Sequence, residues 1–371
     1  MKYAGLDVHD RTVVVHIVDG AGTTLHTAIV PTELARIRAA LRCVRGPLTV
    51  AFEEGALASW LCAGLRRHVA DVVVCDPRRN RLLMHGSRSD RTDAARIAEF
   101  LRLGAVRSIY HGDSASERLR TLAHHYNALT GDVIRAKLRL RAVFRSRAIP
   151  TGGTAFFHQR NRAKYLHALR SRPAEYLRAG ALFRQLDFTA QEQSYAREAL
   201  LAEAAASPAF VLLQSFPCVG PVRAAVFIAI VGTPDRFANR RRFWKYAGLS
   251  VRHSASGEHM LDADGLHKVE SKVRTRGLDR RCNYLLKRVL RDVAAGVLAS
   301  RGCLRMFYER LVGSGKSPTN ARITVARKVA ATLLAVWRSL RPFDPALFMA
   351  LSLRPAEASP EPFPASHRRR H

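Results

Sequence analysis

The chain has 371 residues, 47% of them hydrophobic and 25% charged, which excludes a disordered chain and supplies apolar surface for two or three domain cores. Lys and Arg number 61 against 30 Asp and Glu, a formal net charge of +31, so a polyanion is the expected partner, because each phosphate neutralised releases counterions. No apolar run approaches the ~18 residues of a spanning helix, the opening MKYAGLDVHD lacks a signal-peptide pattern, and the six cysteines form no CxxC pair, so no membrane is expected and a reducing cytosol is.

In chain order, Lys2 to Val8, Thr12 to Asp19 and Thr24 to Val30 are β-branched runs that predict three strands. A helix is expected over Thr32 to Cys43, with Thr32 as its N-cap. Leu48 to Glu54 predicts a fourth strand, Ala56 to His68 a helix, Asp71 to Asp76 a fifth strand, and Asp90 to Leu103 a helix. A three-strand meander followed by helix, strand, helix, strand, helix is the element order of a ribonuclease-H-like α/β domain, although a sugar-kinase or actin-like half opens in the same way.

From Asp113 to Ala206 the composition turns to Leu, Ala, Arg and Glu at helical spacing, interrupted at Thr151–Gly153 and at Arg172–Pro173, so long helices of coiled-coil type are expected. Arg135, Lys137, Arg139, Arg141, Arg145 and Arg147 decorate the first of them, either as a solvated face or as a helix that tracks phosphates. The expected organisation is therefore α/β plus all-α: an α/β domain over 1–110, a helical coiled-coil connector over 111–207, a mainly helical domain over 208–345, and a proline-rich, disordered basic tail over 346–371.

Four carboxylates fall where they can meet. Asp7 ends the first strand and Glu53 the fourth; in a ribonuclease-H-like sheet these strands are parallel neighbours, and ligands collect beyond such carboxyl ends. Asp90 and Asp93 lie three apart on a helix and share a face. Converging oxygen donors of this kind suit Mg²⁺ or Mn²⁺ and metal-assisted phosphodiester cleavage. Singly, each carboxylate reads as well as a turn former or a helix cap, Asp90 with Arg91 and Arg96 as ion-pair partners. Glu53 and Glu54 point to opposite faces of a strand, so only one reaches a metal, and Glu53 is the choice.

Further on, Pro217-Cys218-Val219-Gly220-Pro221 separates two apolar helical stretches in the manner of a helix–hairpin–helix, whose Gly-containing turn would bring backbone N–H groups to phosphates. An ordinary helix–turn–helix packing unit reads the same. Arg240, Arg241, Arg242 and Lys245 follow, interleaved with Phe243, Trp244 and Tyr246, a mixture that favours nucleic acid even though such aromatics are more often core. Ser254 and Ser256 lie in a Gly-containing loop and by themselves read as loop hydroxyls; no GxSxG elbow accompanies them.

Gly5–His9 (GLDVH), Phe52–Gly55 (FEEG), Ser87–Ala94 (SRSDRTDA), Pro217–Ala225 (PCVGPVRAA), Arg242–Leu249 (RFWKYAGL) and Ser254–Gly257 (SASG) occur in one order. Together they resemble the DEDD-type insertion-sequence transposases, the family of RNA-guided bridge recombinases, over about residues 1–344. The resemblance implies a ribonuclease-H-like domain related to junction resolvases, a coiled-coil connector, and a C-terminal transposase domain. It assigns metal binding to Asp7, Glu53, Asp90 and Asp93, and makes Ser256 the nucleophile that becomes linked to DNA, with Ser254 as the alternative. It further implies donor and target DNA, a noncoding guide RNA, a homodimer or homotetramer, and action in the bacterial cytosol or nucleoid. The rival readings are a junction-type metal-dependent endonuclease that uses water, and a nucleic-acid-binding protein without catalysis.

Overall fold

The computed structural model describes residues 1–77, 90–112, 114–254, 259–262, 265–268 and 274–353. The chain divides into two compact units, Met1–Arg118 and Leu119–His371.

The first unit is built on a six-stranded mixed sheet. Its strands are β1 (Lys2–Val8), β2 (Thr12–Val18), β3 (Thr24–Pro31), β4 (Leu48–Glu53), β5 (Asp71–Cys75) and β6 (Ser108–Ile109), in the order β3-β2-β1-β4-β5-β6. β1, β2 and β3 form an antiparallel meander, while β1, β4 and β5 run parallel. The parallel strands read as near-continuous apolar runs because both faces are covered. On one face Ala4, Leu6, Val50 and Phe52 pack with Ile37 of α1 (Leu34–Arg42) and Leu61 and Leu65 of α2 (Ala58–Leu65). On the other, Ala51 and Cys75 pack with Ile97 of α3 (Asp90–Arg102).

Two local expectations are corrected. α1 starts at Leu34 with Glu33 at the N-cap position, because the Thr32 hydroxyl is committed elsewhere and donates to the His9 carbonyl at 2.8 Å. The short edge strand β6, antiparallel to β5, has too few residues to carry an alternation signal.

The second unit begins with two long helices, α4 (Ser114–Arg145, which starts in the first unit) and α6 (Pro173–Ala205), with a short α5 (Arg162–His167) between them. They run antiparallel: Arg147 pairs with Glu175, Phe144 meets Phe183 at 6.4 Å between ring centroids, and the Gln193 amide donates to the Thr130 hydroxyl at 2.8 Å. Buried positions on α6 recur every three or four residues (Ala179, Phe183, Leu186, Thr189), the narrow seam of a helix with one partner. Pro173 opens α6 at its first turn, where a missing N–H costs nothing.

The rest packs around α8 (Pro221–Val231), which is buried on every side from Ala224 to Val231. Around it lie α7 (Ala209–Gln214), α9 (Arg240–Tyr246), α10 (Tyr284–Ala299), α11 (Cys303–Gly313), α12 (Pro318–Ser339) and α13 (Pro345–Leu353). Four short strands interrupt the expected helical run. β7 (Val251–Ser254) pairs with β10 (Arg274–Leu278), and β8 (His259–Asp262) with β9 (Gly265–Lys268), so Ser254 ends a strand opposite Arg274 rather than sitting in a loop. No described helix is long and apolar enough to cross a membrane.

Candidate nucleic-acid-processing site

The site starts from a glycine inside a strand. A Cβ on Gly5 would lie 2.0 Å from the Ala94 carbonyl oxygen and 2.5 Å from the Ala98 nitrogen. Only glycine lets the α3 backbone settle on β1, and Ala94 and Ala98, both fully buried, keep the helix side equally small. The helix runs opposite to β1. Its last residue, Arg102, donates to the Gly20 carbonyl at 3.2 Å, and the β2–β3 turn holding Gly20 lies at the amino end of β1, where Tyr3 pairs with Val18. The first turn of α3, bearing Asp90 and Asp93, is therefore brought to the carboxyl end of β1, where Asp7 stands.

Asp7 shares the α3-facing side of β1 with Gly5, two residues before it. β1 and β4 are in register through Leu6 and Phe52, so Asp7 and Glu53 follow as neighbours on strands about 4.8 Å apart. Glu53 pairs in register with Cys75, which belongs to the α3-side core. Burial, and then the Glu53 charge, push the Cys75 thiol up to about 12. Glu54 points the other way: its carboxylate lies 2.6 Å from His111 Nε2. On that side it also faces Cys62 of α2, whose thiol is raised by burial foremost, with Arg66 pulling it down and Glu54 adding to the rise. Arg66 in turn fastens the residues around His111, donating to the Gly112 carbonyl at 2.6 Å and the His111 carbonyl at 2.5 Å. Pairing between residues 57 apart leaves no local pattern, so sequence reasoning missed His111.

His9 Nε2 lies 3.0 Å from Asp7 Oδ2, and Asp93 Oδ1 lies 3.6 Å from Arg96 Nη1. Among the described residues no three His, Cys, Asp or Glu side chains are grouped to hold an ion. The Asp90 side chain, and Ser256 altogether, lie outside the described residues. Asp7 and Glu53 are hard oxygen donors side by side at a strand-end edge, and that donor set fits Mg²⁺ or Mn²⁺.

The basic residues divide. On α4, Arg135 pairs with Asp132 and Arg141 donates to the Gly153 carbonyl at 2.8 Å while lying over the Phe157 ring; Arg147, in the turn just beyond α4, pairs with Glu175. Arg139 and Arg145 stand exposed with no ion pair among the described residues. Gly220 caps α8, and a Cβ there would meet nothing within 4 Å, so the chain's own packing does not demand glycine. Arg240, Arg241, Arg242 and Lys245 are exposed on α9, whereas Phe243 is buried in the core with Phe237 and Phe227.

Residues 4–147 match a family model described as a transposase of the DEDD group, and residues 211–309 match one described as a transposase of the IS116/IS110/IS902 family. Together the two matches cover well over half of the chain. The chain belongs to the IS110 family of transposases. A curated relative in the same family, the uncharacterized 44.8 kDa protein of insertion element IS116 from Streptomyces clavuligerus, is 28% identical over 135 residues. That stretch is 36% of this chain and 31% of the relative, so the comparison spans about a third of each. The first family match contains Asp7, Glu53, Asp90 and Asp93, and the second contains Ser254 and Ser256.

The buried thiols give a check on the sheet face. Cys43 is exposed while Cys62 and Cys75 are buried. With its pKa pushed up to about 12, Cys75 carries about a thousandfold smaller thiolate fraction at neutral pH than an ordinary thiol. Titration of the native protein with a thiol-specific disulfide reagent near neutral pH is expected to modify Cys43 first, and Cys62 and Cys75 only after denaturant is added. Prompt modification of Cys75 in the native protein would mean that the α3 face of the sheet is open.

Proposed function

We propose that this IS110-family chain is a DNA transposase that cuts strands of donor and target DNA and joins them in new combinations. The observation that carries the reading is the placing of Asp7 and Glu53 side by side, with the first turn of α3 brought to the same strand end by the Gly5 contact. The sheet order β3-β2-β1-β4-β5-β6 supports a ribonuclease-H-like first domain over about 1–110, and the antiparallel α4–α6 pair supports a coiled-coil connector over about 111–207. A transposase domain from about 208 completes the organisation; the tail expected over 346–371 is corrected at its start, because α13 (Pro345–Leu353) buries Phe348 in the core of the second unit.

Asp7 and Glu53 would hold Mg²⁺ or Mn²⁺, with Asp90 and Asp93 added from α3. When bound there, the metal supplies Lewis acidity to a phosphoryl oxygen and eases ionisation of an attacking hydroxyl. Ser256 is the proposed nucleophile: its Oγ attacks phosphorus, a deoxyribose hydroxyl leaves, and the phosphoserine so formed keeps the ester bond for rejoining. A noncoding guide RNA that selects sequence by base pairing would leave the protein to grip backbones, which suits a surplus of +31 spread over many surfaces. Assembly as a homodimer or homotetramer would let the carboxylates of one subunit serve the serine of another.

A denaturing gel of the protein with Mg²⁺, RNA from its flanking region and labelled junction DNA tests this. A protein-linked DNA band is expected in wild type, absent in Ser256→Ala and Asp7→Ala, and retained in Ser254→Ala. Nicks without an adduct, insensitive to both serine changes, would replace the serine mechanism with hydrolysis by water.

A further inference from the structure

Along α12 the second unit carries a cavity of about 670 Å³, within the ~300–1,000 Å³ range of sites that enclose a small ligand. One wall is aromatic and apolar: Trp244, Phe307, Phe343, Leu347 and Phe348. The other is basic. The Arg240 and Arg327 guanidinium groups lie 5.8 and 5.7 Å from the centre of the Trp244 ring, and the Lys328 ammonium lies 5.2 Å from that of Phe348.

The charge balance of this cavity is unusual. Among the described residues, neither Arg240, Arg327 nor Lys328 has a carboxylate partner. Among the described residues the single acidic one in the lining, Asp344, is engaged as a helix cap, its Oδ1 accepting from the Ala346 and Leu347 backbone N–H groups at 2.8 and 3.2 Å. Arg327 spends its Nε on the Leu249 carbonyl at 2.7 Å. Lys328 is half-buried, and its ammonium is disfavoured first by burial and then by Arg240. Two like charges held beside each other over an aromatic wall are an arrangement that an anion relieves.

The geometry points to this cavity as the seat of one unpaired nucleotide of a nucleic-acid strand, its base against Trp244 and the phenylalanines and its phosphate between Arg240 and Lys328. A free phosphate would leave the apolar wall unused, whereas a base supplies a flat apolar face of the kind that stacks on aromatic rings. The strand on either side has a path to follow, since Arg241, Arg242 and Lys245 continue from Arg240 on the exposed surface of α9. A base inside a duplex cannot enter, so the site would select unpaired over paired strand.

This inference rests on the reading of the protein as one that handles nucleic acid. Its test omits divalent metal, so it reads the cavity apart from strand cleavage: loss of either result leaves the other standing. Binding of the full chain is measured by fluorescence anisotropy with a labelled oligothymidylate and with the same strand annealed to its complement. Two variants are compared with wild type: Lys328→Met, which removes the inner cation, and Ala335→Trp, which fills the cavity from an exposed lining position and has little to disturb in the core. Each is expected to weaken single-strand binding about tenfold and duplex binding less than about twofold. An oligonucleotide carrying 2-aminopurine is expected to lose fluorescence on binding wild type, as its base stacks, and to keep it with Ala335→Trp. Unchanged single-strand affinity in both variants, folded by circular dichroism, would overturn the proposal. An equal loss on both probes would overturn it too, reducing the cavity to one more patch of diffuse positive charge.

Discussion

Gly5→Ala is expected to cost about 3 kcal/mol or more and to loosen α3 from β1, although it adds a single methyl group to a strand. The new Cβ would meet not a side-chain tip but helix backbone, the Ala94 carbonyl oxygen at 2.0 Å and the Ala98 nitrogen at 2.5 Å. Neither can rotate away, so the whole helix must lift by more than an ångström, opening the packing of Ala51, Cys75 and Ile97 beneath it. Native-state hydrogen exchange is the suitable measurement, because it reports each unit of a two-unit chain separately. Protection should fall in peptides covering 2–18 and 90–102 and remain in α8, whose core belongs to the second unit. Gly55→Ala is the control: a Cβ there meets nothing within 4 Å, and its effect should stay within about 0.5 kcal/mol. Full protection of α3 in Gly5→Ala would mean that helix and strand are not in backbone contact. If α3 loosens as expected, DNA cleavage should fall with it, since Asp90 and Asp93 ride on that helix.

Gly5 also marks how far the sequence could be read. The strands of the first unit were legible because β-branched runs with clear turns leave little choice of element, and the strand ends placed Asp7 and Glu53 correctly at one edge of the sheet. A glycine in mid-strand is a sign of close backbone approach, but what approaches was invisible, because α3 arrives from some ninety residues away. In the second unit the short strands β7 to β10 were missed: each has four or five residues, with one or two apolar side chains (Val251, Met260 and Leu261, Leu266, Leu278) among polar ones and Gly, too few to hold an alternation. The aromatic residues among the arginines of α9 divided by depth, which helical position alone did not reveal: Phe243 went to the core and Trp244 to the wall of a cavity. Arginines along and just beyond α4 that read as one basic stripe separated in the same way, because Arg141 donates to the Gly153 carbonyl past the helix end and Arg147 pairs with Glu175 of α6.

Glu53 and Glu54 give the sharpest separation of roles that the fold permits, since they are chemically identical, adjacent, and on opposite faces of one strand. Glu53→Gln is expected to lower Mg²⁺-dependent DNA cleavage by at least about a thousandfold, the worth of several kcal/mol of charge stabilisation at the reacting phosphate. Loss of the negative charge is enough, because an amide beside Asp7 no longer offers two anionic neighbours to a divalent cation. Glu54→Gln should retain cleavage within a few-fold of wild type. The amide oxygen can still accept from His111, and Arg66 still holds the His111 and Gly112 carbonyls from the α2 side. A cut through the His111 partnership therefore disturbs the anchorage of the strand end but not the α3-facing edge where Asp7 lies. Cleavage rates on labelled junction DNA across a Mg²⁺ series decide the matter. Glu53→Gln should remain slow even at saturating metal, whereas Glu54→Gln should follow the wild-type curve. The reverse pattern, with Glu54→Gln inactive and Glu53→Gln active, would move the reacting edge to the α2 face of the sheet and remove the α3 carboxylates from the site.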